Sequence, residues 1–533
     1  MNALAATPWP QPIAPLGSVG ASALAAAIPL AIVMVMMGVF RRSGLLSSAC
    51  GLLAVIVLAL TVWHMPVALA GWSIGYGFAV AAWSILWMVF NAIWLYNLTL
   101  RTGSFDRLRR WIANHASGDA CVQAVLVAFC FGALLEGSAG FGAPVAISAF
   151  LLVGLGFEPR RAVLVSLVAN TAPVAFGSVG VPIIALASVT GLDIMKLSAM
   201  VGRQLPLLSL MLPLYLTVVV AGWAGLRRTW GIAAVAGASF AATQFAVSNL
   251  WGPYATDIVS ALVSIGVTVA ALRLRAPAPA AHAEAGGASL TGRDVADAFM
   301  PWAILSVVMV LWTHLGLFTI GQTVIDVPSL HDGVIISLYE KPYAARFTFQ
   351  PLASGTAVLA TVLLSALWLR ATPRVLAETA AESLRQLRLP SLTVLSIVGL
   401  AFLFNYSGMV YTLGAALAGA GVFFPFVSSF LGWIACFLTG SDTSSNFLFG
   451  NLQVAAARQL GLDPVLLAAT NSSGAVAGKM ISPQNISVGV STVGLVGREG
   501  DVLRDSFLHS LVFAAAVGLI AWMQAYVVQW MVP

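Results

Sequence analysis

The chain has 533 residues, 60% of them hydrophobic and only 8% charged, with a net charge of +6. A mean hydropathy of +0.95 and repeated apolar runs of about 20 residues, the length that crosses a bilayer core, exclude a string of soluble domains and indicate a polytopic membrane protein. The four cysteines (Cys50, Cys121, Cys130, Cys436) lie in apolar context without ligand spacing and read as packing residues.

In chain order, apolar spans are predicted at about 18–40, 44–62, 72–99, 162–187, 198–224, 230–250, 253–272, 299–320, 352–369, 391–412, 465–496 and 506–531. The first has no basic residue before it and is too long for the apolar core of a signal peptide. Four further runs, about 121–135, 143–156, 425–438 and 446–460, are too short to cross and flank tracts of small and polar residues. They are predicted to pair into two re-entrant hairpins, 120–157 and 424–462. The predicted fold is therefore all-α, with about twelve transmembrane helices and two hairpins. It divides into a first membrane half (1–272), a cytoplasmic linker (273–298) rich in Ala, Pro and Gly, and a second membrane half (299–533).

Basic residues orient this layout. With the N-terminus outside, nineteen fall in inner loops, among them Arg41, Arg42, Arg107, Arg160, Arg228, Arg275 and Arg385, and four fall in outer loops: Lys196, Lys341, Arg346 and Arg458. That asymmetry follows the positive-inside rule, and turning either hairpin into a single crossing would spoil it. Both termini are then expected outside.

A spaced pattern recurs in the two halves. Gly137-Ser138, Gly156-Phe157-Glu158-Pro159, Asn170, Gly177 and Pro182 are answered by Gly440-Ser441, Gly461-Leu462-Asp463-Pro464, Asn471, Gly478 and Pro483. With the first hairpin entering from inside and the second from outside, the repeats are inverted, as in many secondary transporters. "ANTAPVAFGSVGVPI" (169–183) and "TNSSGAVAGKMISPQNI" (470–486) fit broken helices, whose irregular backbone is tolerated at depth only where it is buried or lines a cavity.

By this topology Glu136 and Asp442 are the acids deep in the membrane, each at a hairpin tip, and Lys479 and Arg203 are the bases inside spans. A charge at a helix centre costs about 2.5–3.5 kcal/mol on insertion scales, so each needs a partner or a use. Burial favours a neutral acid and a nearby cation favours its anion, so Glu136 and Asp442 are candidates for proton coupling, against a permanent salt bridge or, for Asp442, a helix N-cap. Lys479 suits a substrate carboxylate, or neutralises Asp442 when none is bound. Arg203 reads as an interfacial anchor. Gly137, Gly140, Asn170, Thr171, Thr439, Ser441, Thr443, Ser444, Asn471 and Ser472 complete the candidate binding set. They would act through close backbone approach, neutral hydrogen bonds and free N–H groups at helix N-termini, against ordinary helix-to-helix hydrogen bonding. For Asn405 and Tyr406 the packing role is preferred. No metal-ligand spacing, HExxH or GxxxxGK[ST] is present, which argues against the corresponding zinc-hydrolase and nucleotide-hydrolase classes, and no cofactor or nucleic-acid partner is implied.

The stretches "AFCFGALLEGSAGFGAPVAI" (128–147), "NTAPVAFG" (170–177), "MVGRQLP" (200–206), "NYSG" (405–408), "FLTGSDTSSN" (437–446) and "GKMISPQ" (478–484) resemble the bacterial L-lactate permeases over nearly the whole chain. The resemblance implies proton-coupled uptake of L-lactate, D-lactate and glycolate across the inner membrane, by hairpins and broken helices that move past a scaffold. It also marks a departure, since Ser138 stands where the family commonly has Ala. A carrier for another small organic anion, a sodium-coupled carrier, an anion channel and a transport-like sensor are the alternatives. The oligomeric state, a homo-oligomer included, is left open.

Overall fold

The computed structural model describes residues 8–533 apart from 41, 116–117, 139, 141, 275–289 and 339, so most of the expected linker, with Arg275, and Arg41 lie outside the described residues. The chain is mostly helical. Among the described residues, ten helices are long and apolar enough to cross a membrane, or eleven when the bent pair Pro159–Ala169 and Val174–Thr190 counts as one span. The helix Ile194–Leu250 holds two segments, parted by non-helical backbone at Ala221 and Gly222.

In each place where a hairpin was expected, two helices pack against one another, and Ala120–Ser138 is by its length and apolarity able to cross a membrane. The first pairs Ala120–Ser138, 94% of it buried inside the protein, with the short helix Ala143–Gly154. A segment this enclosed does not meet lipid. Its base is fixed by Asp119, which caps the helix by accepting from the Cys121 N–H at 2.8 Å and pairs with Arg228 at 2.6 Å. Burial pushes the Asp119 carboxyl up, but Arg228 and the Cys121 N–H outweigh it and hold the group below the usual aspartate range. The second hairpin pairs Phe424–Thr439 with Asp442–Gln459.

The repeated Gly-x-acid-Pro pattern has a local cause. Gly156 (φ +97°) and Gly461 (φ +67°) end each hairpin in left-handed backbone. Glu158 and Asp463 then cap the next helix, accepting from the N–H groups two and three residues on, with Pro159 and Pro464 at its first turn. Each of these helices breaks. Pro159–Ala169 stops at Asn170 and bends by 66° into Val174–Thr190. Past that bend, Ser178 (φ 47°) and Val179 (φ 60°) kink the start of Gly177–Thr190 in left-handed backbone although neither is glycine, a strained geometry of the kind that gathers at functional sites. Pro464–Lys479 stops at Lys479, and Pro483–Thr492 restarts the helix.

The second hairpin lies backbone to backbone on the second broken helix. A Cβ on Gly432 would sit 2.0 Å from the Asn471 carbonyl oxygen, and one on Gly478 would sit 2.2 Å from that of Trp433. Glycine is therefore required at this seam, as at other close helix contacts in membranes.

Two features depart from the expected fold. The chain is not purely helical: Thr323–Asp326 pairs antiparallel with Arg346–Phe349, and Val334–Ile336 pairs with Lys341–Pro342 and, in parallel, with Trp9–Pro10. The β-branched and aromatic residues of the 321–351 segment suit a pleated ribbon. The span expected at 391–412 is interrupted as well. Its helix, Pro373–Tyr406, ends before Gly408 (φ +93°), and Met409–Leu417 starts anew. There Gln11 donates to the carbonyls of Asn405 and Tyr406 at 3.0 and 2.9 Å, and the Tyr406 hydroxyl donates to Ala344 at 2.8 Å, so "NYSG" ties the N-terminal segment and the ribbon to the helices.

Candidate functional site

The two hairpin tips and the two breaks meet around a cavity of about 540 Å³. Three helices begin at its wall: Gly177–Thr190, Asp442–Gln459 and Pro483–Thr492. Their first N–H groups lack intrahelical partners and favour an anion. Met37, Ser43, Leu389 and Thr393 line the mouth, beside the basic loop that holds Arg42.

Glu136 and Lys479 form the charged centre of this wall. Lys479 Nζ lies 2.5 Å from Glu136 Oε1, with the two side chains 8% and 3% exposed. The other carboxylate oxygen accepts from Asn170 Nδ2 at 3.1 Å. The expectation that Lys479 neutralises Asp442 is thus corrected: its partner is Glu136, which the tertiary fold brings from 343 residues away.

Asp442 is also buried; its hydrogen-bond donor is neutral, while Lys479 and Glu136 act on it only electrostatically. Ser441, not Asp442, caps its helix by accepting from the Ser444 N–H at 3.3 Å. Asp442 Oδ2 accepts from the Ser472 hydroxyl at 2.7 Å, and Oδ1 has no hydrogen-bond partner among the described residues. The Thr439 hydroxyl is spent on the backbone, donating to Ala435 at 2.8 Å. Thr443 and Ser444 are half-buried on the cavity wall and donate no side-chain hydrogen bond among the described residues.

Several expected binding residues lie elsewhere. Gly137 faces Asp257 and Ile258 instead of the cavity, because the hairpin closes against the helix Thr256–Leu274. Gly140 (φ +58°) sits beside Ser178 and Glu136 and supports the tip from behind. Thr171 lies with Asn170 and Lys479 in a closed seam, its hydroxyl without a partner among the described residues. Asn471 is bound to the second hairpin, donating to Asn446 Oδ1 at 2.9 Å and accepting from Gln453 at 3.4 Å, so it packs helices together and is not on the cavity wall. The Ser472 hydroxyl is committed to Asp442. Ser138 donates back to Leu134 at 2.8 Å, ordinary helix bonding. Arg203 donates to Asn249 at 2.9 Å and to the Met531 carbonyl at 2.8 Å, an anchor at the chain's end.

Sequence reasoning missed Ser178, Gln484 and Asn485 on the wall; Asn485 Nδ2 donates to the Ser482 hydroxyl at 3.0 Å and to the Gly440 carbonyl at 3.3 Å. It also missed a third buried acid. Asp257 is 1% exposed and neither of its oxygens has a hydrogen-bond partner among the described residues. The available signal was its place inside the expected 253–272 span, only one turn from the start.

The sequence profile of a family described as L-lactate permease matches residues 22–528. The glycolate permease GlcA of Escherichia coli K12 is 43% identical, over 97% of this chain and 98% of its own. An L-lactate permease of Salmonella typhimurium is 40% identical, over 98% of this chain and 100% of its own. Among solved structures, Neisseria gonorrhoeae MtrF, described within a class of antimetabolite efflux pumps, aligns with a TM-score of 0.46 and 14% identity over 90% of this chain and 85% of that one, too loosely to carry functional weight. The sequence matches span almost the entire chain, and a multi-pass membrane transporter, not an enzyme, is what they describe: this protein belongs to the L-lactate permease family.

Proposed function

We propose that this permease takes up L-lactate, and with it D-lactate and glycolate, together with a proton across the bacterial inner membrane. The observation that carries the reading is the Lys479–Glu136 pair, set on the cavity wall where three helices start. A substrate carboxylate entering there meets the positive ends of these helices and competes with Glu136 for Lys479. When Lys479 turns to the substrate, Glu136 becomes a buried carboxylate without its counter-ion, and taking up a proton relieves it. Binding the anion and loading the proton are then one event. The 2-hydroxyl falls to Thr443 and Ser444.

The same reading covers the topology. Counting each half of Ile194–Leu250, each broken helix and the shorter Ser354–Trp368 as one crossing apiece, and Ala120–Ser138 and Phe424–Thr439 as hairpin arms, gives twelve crossings and two hairpins of opposite entry. The Trp9–Pro10 pairing puts the N-terminal segment on the face of the 321–351 ribbon. The cavity mouth lies at the arginine-rich end, the cytoplasmic one by the positive-inside rule.

Radiolabelled lactate uptake, measured with a protonophore and with sodium replaced, tests the reading. Uptake should collapse with the protonophore and survive sodium removal. Indifference to the protonophore would overturn proton coupling.

A further inference from the structure

Asp257 has no place in the mechanism so far, yet it lies against it. It stands in the first turn of Thr256–Leu274, and a Cβ added to Gly137, the neighbour of Glu136, would come 2.8 Å from the Asp257 Cβ. The hairpin tip therefore closes its bare backbone onto this acid. Glu136, next to Gly137 in the chain, and Lys479, which Glu136 holds, act on it electrostatically. Both carboxyl oxygens are without a hydrogen-bond partner among the described residues. An acid retained purely for stability would be hydrogen-bonded or paired, because an unsatisfied buried polar group is a cost with no return in packing.

Its position gives a direction. Asp257 is absent from the cavity wall, which Glu136 helps to form. Arg273 sits in the last turn of the same helix, so Asp257 lies about 24 Å along the axis from that basic end, at 1.5 Å per residue. Glu136 thus stands between the cavity on one side and Asp257 on the other.

We propose that Asp257 is the proton relay between Glu136 and the face opposite the cavity mouth, an inference that rests on the proton-coupled reading above. When Lys479 leaves Glu136 for the substrate carboxylate, the O–H bond of Asp257 breaks and an O–H bond forms on Glu136. The Asp257 carboxylate is then refilled from the outer aqueous side. On release at the cytoplasmic mouth, Lys479 returns to Glu136 and the proton leaves into the cavity. One proton enters with each anion.

The test is Asp257→Asn in reconstituted vesicles, with wild type alongside. Lactate exchange without a proton gradient should stay within about twofold of wild type, while gradient-driven accumulation falls at least tenfold and its dependence on external pH flattens. The thermal midpoint in detergent should be unchanged or higher, since an unsatisfied acid has been removed. Asp257→Ser, read in the same way, guards against an effect peculiar to asparagine. Wild-type accumulation in either variant overturns the relay while leaving the proton-coupled reading intact. Failure of both variants to insert, or a lowered thermal midpoint with exchange lost, overturns it in favour of a structural acid. If wild type itself ignores the protonophore, the proposed function fails first.

Discussion

The two hairpin tips occupy corresponding places in the repeat and are built to opposite specifications. The first is mostly glycine and alanine around Glu136, and its acid is bound by a cation and an amide from two other elements. The second is a row of hydroxyls around Asp442, and its acid meets one neutral donor, Ser472. In a low dielectric an ion pair ties the positions of its members together, whereas a carboxyl hydrogen-bonded to a hydroxyl feels that pair only across space. Under the proposed function, this contrast places charge coupling at the first tip and neutral recognition of the substrate at the second.

The sharpest break is Glu136→Gln. Lys479 keeps its place but loses its carboxylate, and removing one member of a buried pair costs about 3–5 kcal/mol. Gradient-driven lactate accumulation should be abolished, and the thermal midpoint should fall. In Lys479→Ala the substrate loses its cation. The half-saturation concentration for lactate should rise at least about tenfold, equivalent to roughly 1.4 kcal/mol of binding. The double variant should be more stable than the sum of the single losses predicts, because neither buried charge is left alone. An unchanged half-saturation in Lys479→Ala would reduce the pair to a structural tie.

The paired helices and the turns between them were legible. The turn residues and the Gly-x-acid-Pro signal are local properties of the chain, and local physics decides them. The run at 121–135, expected to be too short to cross, instead belongs to the 19-residue helix Ala120–Ser138. The pairing of Lys479 was not legible, because both candidate acids lay at tips and only the packing of four elements selects Glu136. The repeat misled at Asn471. Its counterpart Asn170 faces an acid, but the second hairpin presents Ser445 and Asn446 at the matching place, so the same residue becomes a packing bond. Asp257 was hidden for a related reason: one turn from a span's start usually means the interface, and here a hairpin tip covers it. The family motifs located the site without indicating which of its acids is paired.

A smaller effect is expected at the second acid. Asp442→Asn retains an oxygen that accepts from Ser472, so packing survives and accumulation should fall only about two- to threefold, in keeping with one altered neutral hydrogen bond. Loss as complete as in Glu136→Gln, measured as the steady-state ratio of internal to external lactate, would dissolve the contrast between the tips and return proton carriage to Asp442.

The finest comparison sets one glycine of each tip against the other. Gly140 (φ +58°) and Gly440 (φ +71°) both occupy left-handed backbone, so alanine should cost each about 1–2 kcal/mol and lower the thermal midpoint alike. What the new methyl meets differs. At Gly440 it comes 2.5 Å from Gln484 Oε1, the end of a flexible side chain that can swing into the cavity. At Gly140 it comes 2.2 Å from Ser178 Oγ and 3.5 Å from Glu136 Oε1, against a strained turn and the ion pair itself. Gly440→Ala should therefore lose stability while keeping its accumulation ratio, and Gly140→Ala should lose both. Equal accumulation in the two variants, at matched protein levels in the membrane, would mean that the first tip is no more tightly bound to coupling than the second.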